Sequence, residues 1–219
     1  MRYHVRLVAV WRRLTVLVVF LLARPVAAEW AVEGHFGTAW NVPSTLKLRQ
    51  DGQPELRLDA HWSTQPLRAG PYYAYRIVWW RGDAGWELQE LHHKIYLNDP
   101  PPEVQDFQIS HGYNLISLAR AWRRRPWTAR LGAGVVLARP HSRVRGLDGP
   151  DEGEGVATYF WTGPALHAGF GARLGDAVTL LPELRLTVAR AHVPIARGDA
   201  DAPNFALHFQ IGVGLRLKR

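Results

Sequence analysis

The sequence predicts an all-β protein: an eight-stranded antiparallel up-and-down barrel that crosses a membrane. Three observations predict it. Long segments alternate apolar with small or polar residues, the connections alternate between long and short, and aromatic residues gather at strand ends. In the longest alternation Phe205, Leu207, Phe209, Ile211, Val213, Leu215 and Leu217 share one face. Ala206, His208, Gln210, Gly212, Gly214 and Arg216 share the other. Strands of water-exposed sheets are usually shorter, about 5–6 residues.

In chain order, strands are expected near 30–40, 72–80, 86–96, 104–121, 128–138, 158–170, 178–191 and 204–217. The first has Ala31, Glu33 and His35 on one face and Trp30, Val32, Gly34 and Phe36 on the other. Segments 41–71, 97–103, 139–157 and 192–203 read as loops of one rim, facing outward. Segments 81–85, 122–127 and 171–177 read as short turns facing the periplasm. Asp51-Gly52, between Leu46–Gln50 and Glu55–Leu58, is a hairpin signal inside the first loop. Trp30, Trp40, Tyr72, Tyr73, Trp79, Trp80, Trp86, Trp122, Trp127, Tyr159 and Trp161 mark strand ends as interfacial girdles. A soluble lipocalin-like barrel also alternates, but long polar lumen faces are hard to explain there.

Composition narrows the function classes. Of 219 residues 47% are hydrophobic and none is cysteine, which excludes disorder, disulfide scaffolds, zinc knuckles, iron–sulfur clusters and thiol catalysis. The formal charge of +8 suggests nucleic acid until the leader is set apart. Residues 1–28 read as a secretory signal: Arg2, Arg6, Arg12 and Arg13 precede the apolar run Leu14 to Ala23, and Val26-Ala27-Ala28 offers a cleavage site. An uncleaved anchor is the alternative, yet the run is shorter than the ~20 residues a spanning helix takes. The remaining 191 residues, 29–219, form the barrel domain and carry 22 basic against 19 acidic groups. The nucleic-acid reading fails.

Period-two counting then selects candidates for chemistry. Leu88, Glu90, His92, Lys94 and Tyr96 share one face of the third strand, read as lumenal. Leu91, His93, Ile95 and Leu97 are read as facing lipid. Asp106, Gln108, Ser110, Gly112 and Asn114 share a face of the neighbouring strand, and Arg76 could join them inside. An eight-stranded barrel is filled by side chains, so charges within it must pair. One reading is a stabilising lumenal network of Arg76, Glu90, Lys94 and Asp106. The other makes Glu90 and His92 an acid–base pair, or two ligands of a divalent metal ion that His141 could complete. Gly112 could mark a bulge that turns His111 inward. No Gly-x-Ser-x-Gly, Walker loop or His-Glu-x-x-His is present.

Several of these pieces resemble the lipid A oxidase-like small outer-membrane barrels of rhizobial bacteria. They are Pro71-Tyr72-Tyr73 with Arg76 and Trp79-Trp80, His92-His93-Lys94-Ile95-Tyr96, Gly112-Tyr113-Asn114-Leu115, Gly132-Ala133-Gly134-Val135, Pro140-His141 and Gly163-Pro164-Ala165. The family's His-x-Lys-x-Tyr motif fits His92, Lys94 and Tyr96. Its Asp-Gly-x-Asn-Leu motif has His111 in place of the Asp. The resemblance implies oxidation of the proximal glucosamine of lipid A to an aminogluconate unit with dioxygen. Outer-membrane lipid A deacylases use a His-x-Ser order that Ser110-His111 does not match, so deacylation ranks low.

The catalytic candidates are thus Glu90, His92, Lys94, His111 and Asn114. Arg76, Tyr96, Arg139, His141, Arg143 and Arg145 are candidates for binding a bisphosphorylated headgroup. The expected setting is the outer membrane of a Gram-negative bacterium. The expected partners are lipopolysaccharide and the barrel-assembly machinery, with no nucleic acid, for a monomer. The competing reading is a non-catalytic barrel whose loops bind a partner or support the envelope.

Overall fold

The structure, a computed structural model, describes residues 28–68, 70–150 and 159–217. The leader reading of residues 1–28 lies outside them except for Ala28. In chain order the strands are β1 (Ala28–Val42), β2 (Ser44–Gln50), β3 (Leu56–Ala60), β4 (Trp62–Ser63), β5 (Tyr73–Arg81), β6 (Ala84–Leu97), β7 (Val104–Arg124), β8 (Trp127–Ala138), β9 (His141–Val144), β10 (Leu147–Gly149), β11 (Phe160–Ala172), β12 (Val178–Ile195) and β13 (Gly198–Leu217).

Eight of them close a ring, in the order β1, β5, β6, β7, β8, β11, β12, β13 and back to β1. Every pair is antiparallel. These are the eight strands read from the sequence, within four residues at every end except the start of β13, which comes six residues earlier. Closure matters because an open edge in hydrocarbon would leave a row of backbone groups without partners.

The loop end is more structured than expected. The β2–β3 hairpin forms at Asp51-Gly52, with Gly52 at φ 72°, and β2 adds to the upper part of β13 through Lys47–Gln50. Segment 139–157 supplies β9 and β10, and β9 pairs with the first residues of β7. Segment 192–203 is not a loop. β12 and β13 run on through it and turn at Ala196-Arg197, because Ala191, Val193, Ile195, Ala200 and Ala202 have an interior to fill.

Side-chain direction divides the barrel into two bands. Near the turn end, outward positions are apolar and exposed: Val32, Phe36, Ile77, Leu88, Leu118, Leu131, Leu166, Leu184 and Ile211. Tryptophans 30, 79, 86, 122 and 127 ring the turn-end margin. Trp80 instead points inward, with Ala31, Val78 and Ala121, and closes the lumen under Arg123, 4.6 Å from its ring.

The lumen of this band is polar. Arg130 reaches Glu33 at 3.0 Å, Glu87 at 2.8 Å and Glu183 at 2.7 Å. Arg76 meets Glu33 at 3.4 Å and Glu183 at 3.0 Å, and Arg185 holds Glu183 at 2.5 Å. Arg173 also pairs with Glu33. A lumenal ion network therefore exists, but of the residues nominated for it only Arg76 belongs.

At the loop end the arrangement inverts. The interior holds Leu46, Leu48, Trp62, Phe107, Ile109, Val193 and Ile195, and the outer surface is charged. There Arg49 holds Asp199 and Asp201, and Arg190 and His192 reach Asp201 at 2.9 and 3.1 Å. Burial alone would raise the Asp201 carboxyl, but hydrogen bonds from Arg49, Arg190 and His192 hold it down to about 2.

Candidate functional site

The polarity switch decides where the candidates point. On β6 the inward residues are Glu87 and Gln89, then Leu91, His93 and Ile95. The outward ones are Trp86 and Leu88, then Glu90, His92, Lys94 and Tyr96. Glu90, His92, Lys94 and Tyr96 do share a face, as counted, but it is the outer wall and not the lumen, and His92, Lys94 and Tyr96 are buried there beneath Arg68 and Gly70. The reason is that β6 outruns the lipid band. Beyond it the core lies inside, so Leu91 and Ile95 turn in. Asp106, Gln108, Ser110 and Asn114 of β7 go to the outer wall with them, for the same reason. Arg76 does not join them, since it is fully buried in the lumen among glutamates.

On that wall a compact cluster forms where the apolar band ends. Register places Tyr75 opposite Glu90, Tyr73 opposite His92, and His92 opposite Asn114. The hydroxyls of Tyr75 and Tyr73 lie near the Glu90 carboxylate. The His92 ring stacks on Tyr73, with centroids 4.8 Å apart and planes within 5°. His92 Nδ1 donates to Asn114 Oδ1 at 2.7 Å, which leaves a lone pair on Nε2. That Nε2 is buried beneath the backbone of Gly70 and has no side-chain partner.

A bulge in β7 builds this geometry. The β6–β7 register slips between His93↔Tyr113 and Ile95↔Ile109, so β7 carries extra residues around His111-Gly112. Gly112 sits at φ 134°, and a Cβ there would lie 2.2 Å from the Asn114 amide nitrogen. Glycine is thus required if Asn114 is to hold His92. The bulge is where the sequence placed it, but His111 is exposed and not turned inward. Its carbonyl accepts from the Tyr159 hydroxyl at 2.7 Å, and its Nδ1 lies 3.4 Å from Ser110 Oγ.

A second group stands one pleat nearer the loops. Lys94 Nζ donates to the Arg68 carbonyl at 3.0 Å, and both cations lie over the Tyr96 ring, Arg68 at 5.0 Å and Lys94 at 5.8 Å. Farther along, His141 on β9 lies 3.4 Å from Asp106, and Arg143 is 3.6 Å from Asp148. Arg139 donates its backbone N–H to the Gly112 carbonyl at the bulge. Arg145 turns away to Gln50 and the Pro54 carbonyl. Eight candidates therefore share one wall or its bulge: Glu90, His92, Lys94, Tyr96, His111, Asn114, His141 and Arg143. Among the described residues no three His, Asp or Glu side chains gather as a metal site. Glu90 and His92 lack a third donor, and His141 is engaged by Asp106 instead.

Tyr73, Tyr75, Tyr159 and Arg68 were not legible as site residues. Tyr73 and Tyr159 looked like girdle aromatics, Tyr75 drew no reading, and only the register of β5 against β6 puts Tyr73 on His92.

No protein-family model matches the chain, and no curated protein matches it in sequence. Among solved structures it is similar to Neisserial surface protein A, with 15% identity, 86% of this chain and 98% of that one covered, and a TM-score of 0.43. It is also similar to Ail, the attachment invasion locus protein of Yersinia pestis, at 8% identity, 87% and 97% coverage and a TM-score of 0.41. The outer membrane protein AlkL in DMPC bilayers aligns at 12% identity, 90% and 93% coverage and a TM-score of 0.47. The closed ring, the apolar band and the tryptophan girdle make this chain an outer-membrane β-barrel.

Proposed function

We propose that this barrel modifies the headgroup of lipid A, with its loop end outward and the site working from the side of the wall. The observation that carries the reading is position. His92, Glu90 and Asn114 stand on the outer wall at the level where the apolar band gives way to polar surface, which is where a headgroup lies. His92 Nε2, oriented through Asn114, is the group suited to take a proton. Glu90, beside two tyrosines, supplies the adjacent negative charge. Arg68 over Tyr96, with the buried Lys94 behind it, supplies positive charge for a headgroup phosphate. Resemblance to the lipid A oxidases supports oxidation of the proximal glucosamine, with dioxygen as electron acceptor.

Mass spectrometry of lipid A from deletion and overexpressing strains tests this directly. The expected result is a mass change that His92→Ala abolishes while the folded barrel still migrates as a heat-modifiable band. An unchanged profile in both strains would leave the non-catalytic barrel as the reading. Orientation has its own test: a tag at Gly52 should label on intact cells and one at Gly82 should not. Both tips project into open turns or carry positive φ.

A further inference from the structure

The turn-end margin carries a feature that the loop-end site does not use. Arg120 lies on the outward face of β7, between Leu118 and Trp122, and so one pleat deeper in the apolar band than the tryptophan girdle. Its register neighbours are Trp86 on β6 and Leu131 on β8, both exposed to lipid. The guanidinium packs 5.2 Å from the Trp86 ring and donates to the Gly85 carbonyl at 3.3 Å. It makes no ion pair among the described residues. A guanidinium at that depth without a counter-ion is costly, and it is relieved by reaching back to phosphate at the membrane surface.

A shallow apolar groove of about 710 Å³ begins at Arg120 and Trp86 and runs toward mid-membrane past Leu118, Leu131, Ala133 and Leu166. Its floor is low because the outward residues Ala133 and Ala168 are small and lie between leucine ridges. The direction is that of a lipid whose phosphate is at the turn-end margin and whose acyl chain points inward.

We propose that Arg120, shelved on Trp86, together with this groove, binds an anionic glycerophospholipid of the turn-end leaflet. The phosphate pairs with the guanidinium, and one acyl chain lies in the groove. Arg124, outward on the same strand and closer to the turn, adds positive charge at the headgroup.

The test uses the full folded barrel in neutral detergent, titrated with mixed phosphatidylglycerol and phosphatidylcholine, with retained lipid counted by native mass spectrometry. The wild type should prefer phosphatidylglycerol by about fivefold, the size one interfacial cation gives. Arg120→Gln should lose that preference, and Arg57→Gln at the loop end should keep it. Trp86→Leu keeps the charge and should lower the preference about twofold, which covers the case that Arg120→Gln does not fold. Equal retention of the two lipids by the wild type, or undiminished preference in Arg120→Gln and Trp86→Leu, would overturn the proposal. So would displacement of the lipid by millimolar inorganic phosphate, since then the groove holds nothing.

Discussion

The turn-end half of the barrel and its loop-end half are made from the same strands with opposite chemistry. β12 shows the change within one segment. Its inward residues run Thr179, Leu181, Glu183, Arg185, Thr187 and then Ala189, Ala191, Val193, Ile195. Its outward residues run Val178, Leu180, Pro182, Leu184, Leu186, Val188 and then Arg190, His192, Pro194. Direction alternates without a break, so it is the solvent that changes. Beside the first half the surroundings are lipid, which gives apolar side chains no reason to turn inward. Beside the second half they are water, and the hydrophobic effect gathers a core as in a soluble protein. The His92 cluster stands on the seam between the two, where one wall can meet both media.

The comparison breaks most visibly in the lumen. Arg130 is the cation shared by Glu33, Glu87 and Glu183, so Arg130→Ala should cost about 3–5 kcal/mol by stranding buried carboxylates. Urea unfolding in lipid vesicles would read it. An effect near zero would mean that water or Arg76 already screens the glutamates.

The same substitution on the same face of β12 should have two outcomes. Leu184→Arg, in the lipid band, should cost about 2–4 kcal/mol. His192→Arg, eight residues farther along, should fall within about ±0.5 kcal/mol. If both were equally costly, the membrane boundary would lie above His192 and the two-band description would fail.

A local effect follows at the bulge. Gly112→Ala should displace the Asn114 amide and free the His92 ring, leaving the barrel's heat-modifiable band in place. The readout is the imidazole resonance of His92, which should shift on substitution. An unmoved resonance would show that Asn114 does not position the ring.

The smallest effect concerns acid at the tip of the β12–β13 hairpin. Asp201 sits above the lipid band, and its carboxyl is depressed in the fold to about 2 from an ordinary 3.8. A depressed carboxylate stabilises above its unfolded value and loses that contribution as pH falls through the folded one. The hairpin should resist pepsin at pH 4 and become cleavable between about pH 4 and 2. Arg49→Gln should move that opening to higher pH, because it removes a hydrogen bond that lowers Asp201.

The sequence by itself determined the eight strands, their up-and-down order, the Asp51-Gly52 hairpin and the bulge at Gly112. Each of these is local: a period of two, a turn residue or a glycine is written in a few neighbouring positions. It also determined which candidates travel together, since residues two apart share a face wherever the strand lies. It did not determine which face that was. Glu90, His92 and Lys94 read as lumenal only if the polar side is always the inner one, and that rule ends where lipid gives way to water. Only the tertiary structure decided the matter, by placing Leu46, Leu48 and Val193 from distant segments inside the loop end and drawing Leu91 and Ile95 in with them. The polar face of β6 was left on the outside of the wall, next to Tyr73 and Asn114 and covered by Arg68 and Gly70. Such contacts join residues far apart in the chain, and a pattern read along one strand holds no record of them.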